Sequence, residues 1–297
     1  MNLQKVLSSG SVVISNMSRV EEKIQGLVRD GAEKLQMIVD FDYTLTKTNV
    51  ECSWGVLETY SELPDSYHTR VKAAKDKYLP IELDLSISVE EKIPLMIEWY
   101  KEANQCLSES GVKQSWIPKM VTQSNCELRD DTDKMLSLLH AADVPVLVMS
   151  AGVGDLIKEI MTHFSVLHTN TSLVSNFLKF DSEGNIVGLS TRDEDMIHMY
   201  NKAEVIRRRS GEHCHDQRRN VILMGDSLGD LDMAAGVKDP HIVLTIGFLN
   251  KNIEKNLPTY KEKFDVVLVD DQTMNFPNDL LENILFHKKT SSAAQAV

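Results

Sequence analysis

The stretch "LQMIVDFDYTLTKTN", residues 35–49, decides the fold. It runs apolar through Leu35, Met37, Ile38 and Val39, then sets Asp40 and Asp42 one residue apart ahead of Thr44. A short apolar run of this kind predicts a strand buried on both faces, as a parallel sheet requires. In an extended segment residues i and i+2 project to the same side, so both aspartates address one point at the strand's end. Two like charges so close are unfavourable unless something there needs them.

Working outward, similar runs recur in "VPVLVMS" (144–150), "NVILMGD" (220–226), "HIVLTIGF" (241–248) and "FDVVLVDD" (264–271). Helical patterns lie between them, such as "VGDLIKEIMTHF", where Ile157, Ile160, Met161 and Phe164 share a face. The alternation predicts an α/β fold, a doubly wound Rossmann-like parallel sheet. Asp40, Ser150 and Asp226 end three of these runs, and open α/β sheets bind ligands at the carboxyl ends of their strands. From residue 50 to about 130 the pattern turns to long charged amphipathic segments without a buried strand. The expected organisation is therefore an α/β core over 1–50 and 131–290, an inserted helical cap domain over 51–130, and a disordered tail over 291–297. Pro80, Pro94 and Pro118 punctuate the insertion, with Pro94 expected in a first helical turn behind "SVEE". "MSRVEEKIQGLVRD" reads as a helix with Val20, Ile24 and Leu27 on one stripe.

At 297 residues, 42% hydrophobic and 26% charged, the chain has the composition of a soluble globular protein. A formal charge of −12 repels phosphates and nucleic acid, so an anionic ligand needs local help. Cys52, Cys106, Cys126 and Cys214 form no CxxC pair, which points to a reducing compartment. With no strong signal segment and no long apolar run, the expectation is a cytoplasmic protein without a membrane partner.

Two neighbouring carboxylates divide labour well: one, ionised, attacks phosphorus, while the other donates a proton to the leaving oxygen. Asp40 and Asp42 suit nucleophilic catalysis on a phosphate ester through an aspartyl-phosphate. "GDSLGD" (225–230) brings Asp226 and Asp230 to the same crevice, and four carboxylates together call for a hard cation such as Mg²⁺. In "SAGVGD" the Ser150 hydroxyl and the amides of Ala151 and Gly152 are placed to cradle a phosphate at a helix start. Lys202 supplies a point charge. Taken singly, each motif also fits something plainer: a charged turn, an acidic loop, an ordinary βα turn, a surface lysine.

"DFDYT", "SAG", the lysine of "NKAEV" and "GDSLGD" resemble the four motifs of haloacid dehalogenase-like phosphatases, in order. Beyond them, "PIELD", "VEEKIPLMIEWY", "LVSNFLKFD", "GDSLGDLDMAAGV" and "FDVVLVDDQT" resemble the cytosolic pyrimidine 5′-nucleotidase family, including its 7-methylguanosine-phosphate-specific members, over about residues 18–288. The resemblance implies a nucleophile at Asp40, an acid/base at Asp42, and Mg²⁺ on Asp40, the main-chain carbonyl of Asp42 and Asp226, steadied by Asp230. It implies phosphate contacts from Ser150, Ala151 and Lys202, and a nucleobase contact from Glu82 in the cap. Trp54 and Tyr100 are candidates to stack a flat base between them. The expected partner is a small-molecule nucleoside monophosphate, bound by a monomer. Ala103 stands where some pyrimidine-preferring relatives carry serine, so base preference stays open between CMP, UMP and 7-methylguanosine monophosphate. Another phosphomonoester such as phosphoserine, or a catalytically silent nucleotide-binding protein, are the alternatives. "HCHD" (213–216) and "RRRS" (207–210) read as surface features, not as metal or nucleic-acid sites.

Overall fold

The computed structural model describes residues 10–84, 86–190 and 196–293. Seven strands form one sheet in the order β1 (Val12–Ile14), β9 (Val266–Val269), β8 (Ile242–Leu249), β7 (Asn220–Gly225), β2 (Leu35–Val39), β3 (Val146–Val153), β4 (Thr171–Asn176). All neighbours run parallel except β1, which pairs antiparallel with β9 at the edge. A two-stranded hairpin, β5 (Leu178–Phe180) and β6 (Ile186–Leu189), stands apart.

Period-two alternation builds the core on both faces of this sheet. Met37 and Val39 of β2, with Ile222 and Met224 of β7, join the larger cluster, while Ile38, Val221 and Leu223 join the second. The larger cluster is covered by α1 (Met17–Asp30), whose buried stripe is Val20, Ile24 and Leu27 as the spacing predicts. Asn16 caps this helix by accepting the Arg19 N–H.

The described residues of the insertion form four α-helices, α2 (Ser53–Glu58), α3 (Asp65–Leu83), α4 (Val89–Ser108) and α5 (Ile117–Gln123), and a short 3-10 turn before α5, with no strand of the large sheet among them. Ser88 and Glu91 close a capping box at the start of α4. Pro94 is the sixth residue of that helix, past the first turn, and Pro80 also lies inside its helix. The chain returns through α6 (Thr132–Ala141) and α7 (Gly154–His163), then α8 (Lys202–His213), α9 (Ile253–Lys263) and α10 (Asn275–Ala293). Of the expected disordered tail, residues 291–293 instead continue α10, and residues 294–297 lie outside the described residues.

β2 is the hinge of the topology. From it the chain builds β3 and β4 on one side, then crosses back to build β7, β8 and β9 on the other. The order reverses between β2 and β7, and such a switch point opens a crevice at the carboxyl ends of the strands. Asp40 and Asp226 directly follow those two strands.

Candidate active site

Asp40, Asp226 and Asp230 meet at the switch point, each offering a carboxylate oxygen within 4.8 Å of the others. The close approach depends on Gly225: a Cβ there would lie 2.3 Å from Cβ of Asp230. Asp230 is fixed by the Ser227 N–H and hydroxyl, both donating to Oδ2 at 2.8 Å. Lys202, the first residue of α8, is buried and donates to Asp40 Oδ1 at 2.5 Å and Asp230 Oδ1 at 2.6 Å. Burial alone would lower the lysine's pKa, but the charges of Asp230 and Asp40 outweigh it and hold the ammonium. Asp40 and Asp226 are both pushed above the usual carboxylate range, chiefly by burial and then by their acidic neighbours, with Lys202 pulling the other way. One ammonium in contact cannot balance this group, so a proton or a further cation must share it. An all-oxygen donor set with surplus negative charge fits a hard divalent ion.

Asp42 points elsewhere. Its Oδ1 accepts the Ser53 N–H at 2.7 Å and its Oδ2 the Ser53 hydroxyl at 2.6 Å, and burial raises its pKa against those two bonds. Its carboxylate is thus not part of the acidic trio. Gly152 packs against this pair, where a Cβ would fall 2.0 Å from Ser53 Oγ and 2.8 Å from Asp42 Oδ2. The loop behind turns at Tyr43, whose φ of 61° is left-handed. Arg129, 1% exposed, secures that turn: it donates to the carbonyls of Thr44, Tyr43 and Asp271 and to Asn250 Oδ1, and lies over the Phe248 ring.

The "SAG" segment departs from the sequence expectation. β3 continues to Val153, so Ser150, Ala151 and Gly152 lie within it and not at a helix start. Pairing with β4 lapses between Met149 and Val153, and this irregularity frees the segment. The Gly152 N–H donates to Ser150 Oγ at 3.0 Å. The Ala151 carbonyl accepts from Trp54 Nε1 at 3.2 Å, the Tyr100 hydroxyl at 3.1 Å and Asn176 Nδ2 at 3.0 Å.

Glu82 lies in the last turn of α3, and its charge, with those of Asp42 and Lys202, acts on the Tyr100 hydroxyl. Burial raises the Glu82 carboxyl, opposed by Lys92, whose buried ammonium donates to the Glu82 carbonyl at 2.8 Å. The Tyr200 hydroxyl reaches the same carbonyl at 3.3 Å. Trp54 and Tyr100 do not form a slot for a base, because their rings touch edge to face, with centroids 6.0 Å apart at 83°. Trp99 stacks on Tyr78 instead. In "HCHD", His213 ends α8 and the His215 N–H and carbonyl are tied to the Gln36 side chain, so the segment is anchored to β2. Among the described residues the acidic trio is the one cluster of metal-ligating groups found.

A family model described as pyrimidine 5′-nucleotidase (UMPH-1) matches residues 41–285. The chain belongs to this family. That places it among 5′-nucleotidases, which are phosphoric monoester hydrolases. It is 34% identical to 7-methylguanosine phosphate-specific 5′-nucleotidase A of Xenopus laevis over 283 residues, 93% of this chain and 97% of that one. The Drosophila melanogaster 7-methylguanosine phosphate-specific 5′-nucleotidase is 36% identical over 275 residues, covering 90% and 85%. Among solved structures, cytosolic 5′-nucleotidase IIIB bound to cytidine superposes with a TM-score of 0.85 at 32% identity, over 98% of this chain and 99% of that one. The haloacid dehalogenase-like α/β fold expected from the motifs stands.

Ser53, Asn176 and Arg129 belong to the site and escaped the sequence. Asn176 ends β4 much as Asp40 and Asp226 follow β2 and β7, so the strand-end criterion applied to "LVSN" would have found it. Nothing local marks Ser53 or Arg129, whose partners are 11 and 85 or more residues away.

Proposed function

We propose that this chain is a Mg²⁺-dependent 5′-nucleotidase that hydrolyses CMP, UMP and 7-methylguanosine monophosphate through a phosphoryl group carried on Asp40. The observation that carries this is the meeting of Asp40, Asp226, Asp230 and Lys202 at the switch point, with Asp42 held separately beside them. Asp40 attacks phosphorus as the bond to the 5′-oxygen breaks, and Asp42 gives its proton to that oxygen. Burial, which raises the Asp42 carboxyl, keeps the proton available. Water then gives a proton to Asp42 and attacks phosphorus, releasing phosphate and restoring Asp40. Ser150, Ala151 and Lys202 take the phosphoryl oxygens. Asp40, Asp226, Asp230 and the Asp42 carbonyl would hold Mg²⁺, which when bound neutralises charge on the phosphoryl group.

Residues 51–130 serve as a cap that excludes water and presents Glu82 to the base. A half-buried carboxylate favours an N–H edge or a cationic methylated guanine. In support, two relatives are named for 7-methylguanosine phosphate and the solved one holds cytidine. We further propose a monomer acting in the cytoplasm; no described helix is long and apolar enough to cross a membrane.

The test is kcat/KM for CMP, UMP, GMP, 7-methylguanosine monophosphate and phosphoserine, with and without Mg²⁺. Mg²⁺-dependent turnover of CMP, UMP and 7-methylguanosine monophosphate, reduced by Glu82→Gln, is expected. Preference for phosphoserine, or turnover indifferent to Glu82→Gln, would overturn the substrate class.

A further inference from the structure

The geometry points to Trp54, Tyr100 and Asn176 as positioning residues of the phosphate cradle: they clamp the Ala151 carbonyl and through it set the donors that meet phosphate. This rests on the proposed phosphate role of Ser150 and Ala151. A carbonyl oxygen has two lone pairs, yet this one takes three donors, at 3.2, 3.1 and 3.0 Å, from α2, α4 and the end of β4. They arrive where the β3–β4 ladder lapses and the carbonyl would otherwise lack a partner.

Fixing that carbonyl fixes the peptide it shares with Gly152, because the unit is planar. The Gly152 N–H at the other end donates to Ser150 Oγ at 3.0 Å. A hydroxyl that accepts there keeps its own O–H to donate outwards. The order is therefore ring and amide donors, Ala151 carbonyl, Gly152 N–H, Ser150 Oγ, phosphate, each bond polarising the next. Opposing slack is taken up by Ser175, whose hydroxyl holds the Gly152 carbonyl at 2.9 Å. Asn176 is itself rigid, its amide tied to both the N–H and the carbonyl of Ile197.

Two of the three donors ride on the helical insertion, Trp54 on α2 and Tyr100 on α4. The cradle is complete only when those helices sit down on the sheet, so phosphate binding and closure assist each other. Their edge-to-face contact leaves no slot for a base between them.

The experiment uses the full chain with Mg²⁺, inorganic phosphate as the anion probe and cytidine as the base probe, both read as competitive inhibitors of CMP hydrolysis. Tyr100→Phe keeps the ring and deletes one donor. It should weaken phosphate about five- to tenfold, lower kcat, and leave cytidine inhibition and the thermal midpoint unchanged. Trp54→Phe should act in the same direction. Weakened cytidine with unchanged phosphate would make these residues base readers and overturn the proposal. Ser150→Ala is the reference: if it weakens phosphate while Tyr100→Phe and Trp54→Phe do not, the clamp alone fails. If Ser150→Ala leaves phosphate unchanged, the cradle itself is wrong and the clamp falls with it.

Discussion

Arg129→Met is predicted to cost the fold about 3 kcal/mol and to slacken the loop that carries Asp42. Among the described residues Arg129 is the largest fully buried side chain, and its guanidinium serves four acceptors from three distant segments. Methionine fills much of the same space and keeps apolar contact with Phe248, so little of the effect is cavity formation. Tyr43 O keeps a donor, Asn250 Nδ2 at 3.0 Å, but Thr44 O, Asp271 O and Asn250 Oδ1 lose theirs. Three deserted acceptors at about 2 kcal/mol each, set against about 3 kcal/mol recovered by no longer burying the cation, leave a loss of about 3 kcal/mol. The recovered part follows from the guanidinium pKa, which burial brings down to about 10 although Asp226, Asp271 and Asp270 pull it up. Urea unfolding followed by circular dichroism reads the change as a lower midpoint at constant m. Arg129→Lys should recover less than half, since an ammonium cannot span three carbonyls. A loss under about 1 kcal/mol, or a lysine variant as stable as the native chain, would refute the reasoning.

Ser53→Ala removes the hydroxyl bond to Asp42 Oδ2 and leaves the N–H bond to Oδ1, so kcat for CMP should fall about tenfold with KM little changed; an unchanged kcat would free Asp42 from this control. His198 is held neutral: burial lowers its pKa from an ordinary 6.5 to about 4, with Glu204 opposing, and its Nδ1 accepts the Tyr200 N–H. The unfolded chain takes up this proton below about 6.5 and the folded chain only below about 4, so the stability present above pH 6.5 is lost as pH falls through that window. With allowance for solvent screening the loss is about 1–3 kcal/mol, and His198→Gln should flatten that part of the unfolding curve; equal acid sensitivity in both proteins would contradict it.

The sheet was legible wherever a strand is buried on both faces, because only there does the residue run stay apolar for long enough to stand out. Leu35–Val39 and Asn220–Gly225 are the clearest instances, every residue of both being buried. β1 is three residues on an edge, and the β5–β6 hairpin exposes Val187 and is held to α4 by Asn104, so neither carries a strong pattern of its own. The acidic group could be read because Asp40 and Asp226 directly follow strands and the pairs Asp40–Asp42 and Asp226–Asp230 are close in sequence. What surrounds it could not: Ser53 with Asp42, Arg129 with Tyr43, and Tyr100 with Ala151 are tertiary pairings between polar residues that sequence spacing does not announce. The sequence singles out Trp54 and Tyr100 for their rings, yet it is their polar ends that are fixed to the site.

The most direct measurement is of Asp40 itself. Mixing the Mg²⁺-loaded protein with CMP, quenching in acid within one turnover and mapping the peptides by mass should find one phosphoryl group on the peptide containing Asp40, absent from Asp40→Asn, which also releases no phosphate. Full phosphate release by Asp40→Asn, or a phosphoryl group found on another residue, would contradict it.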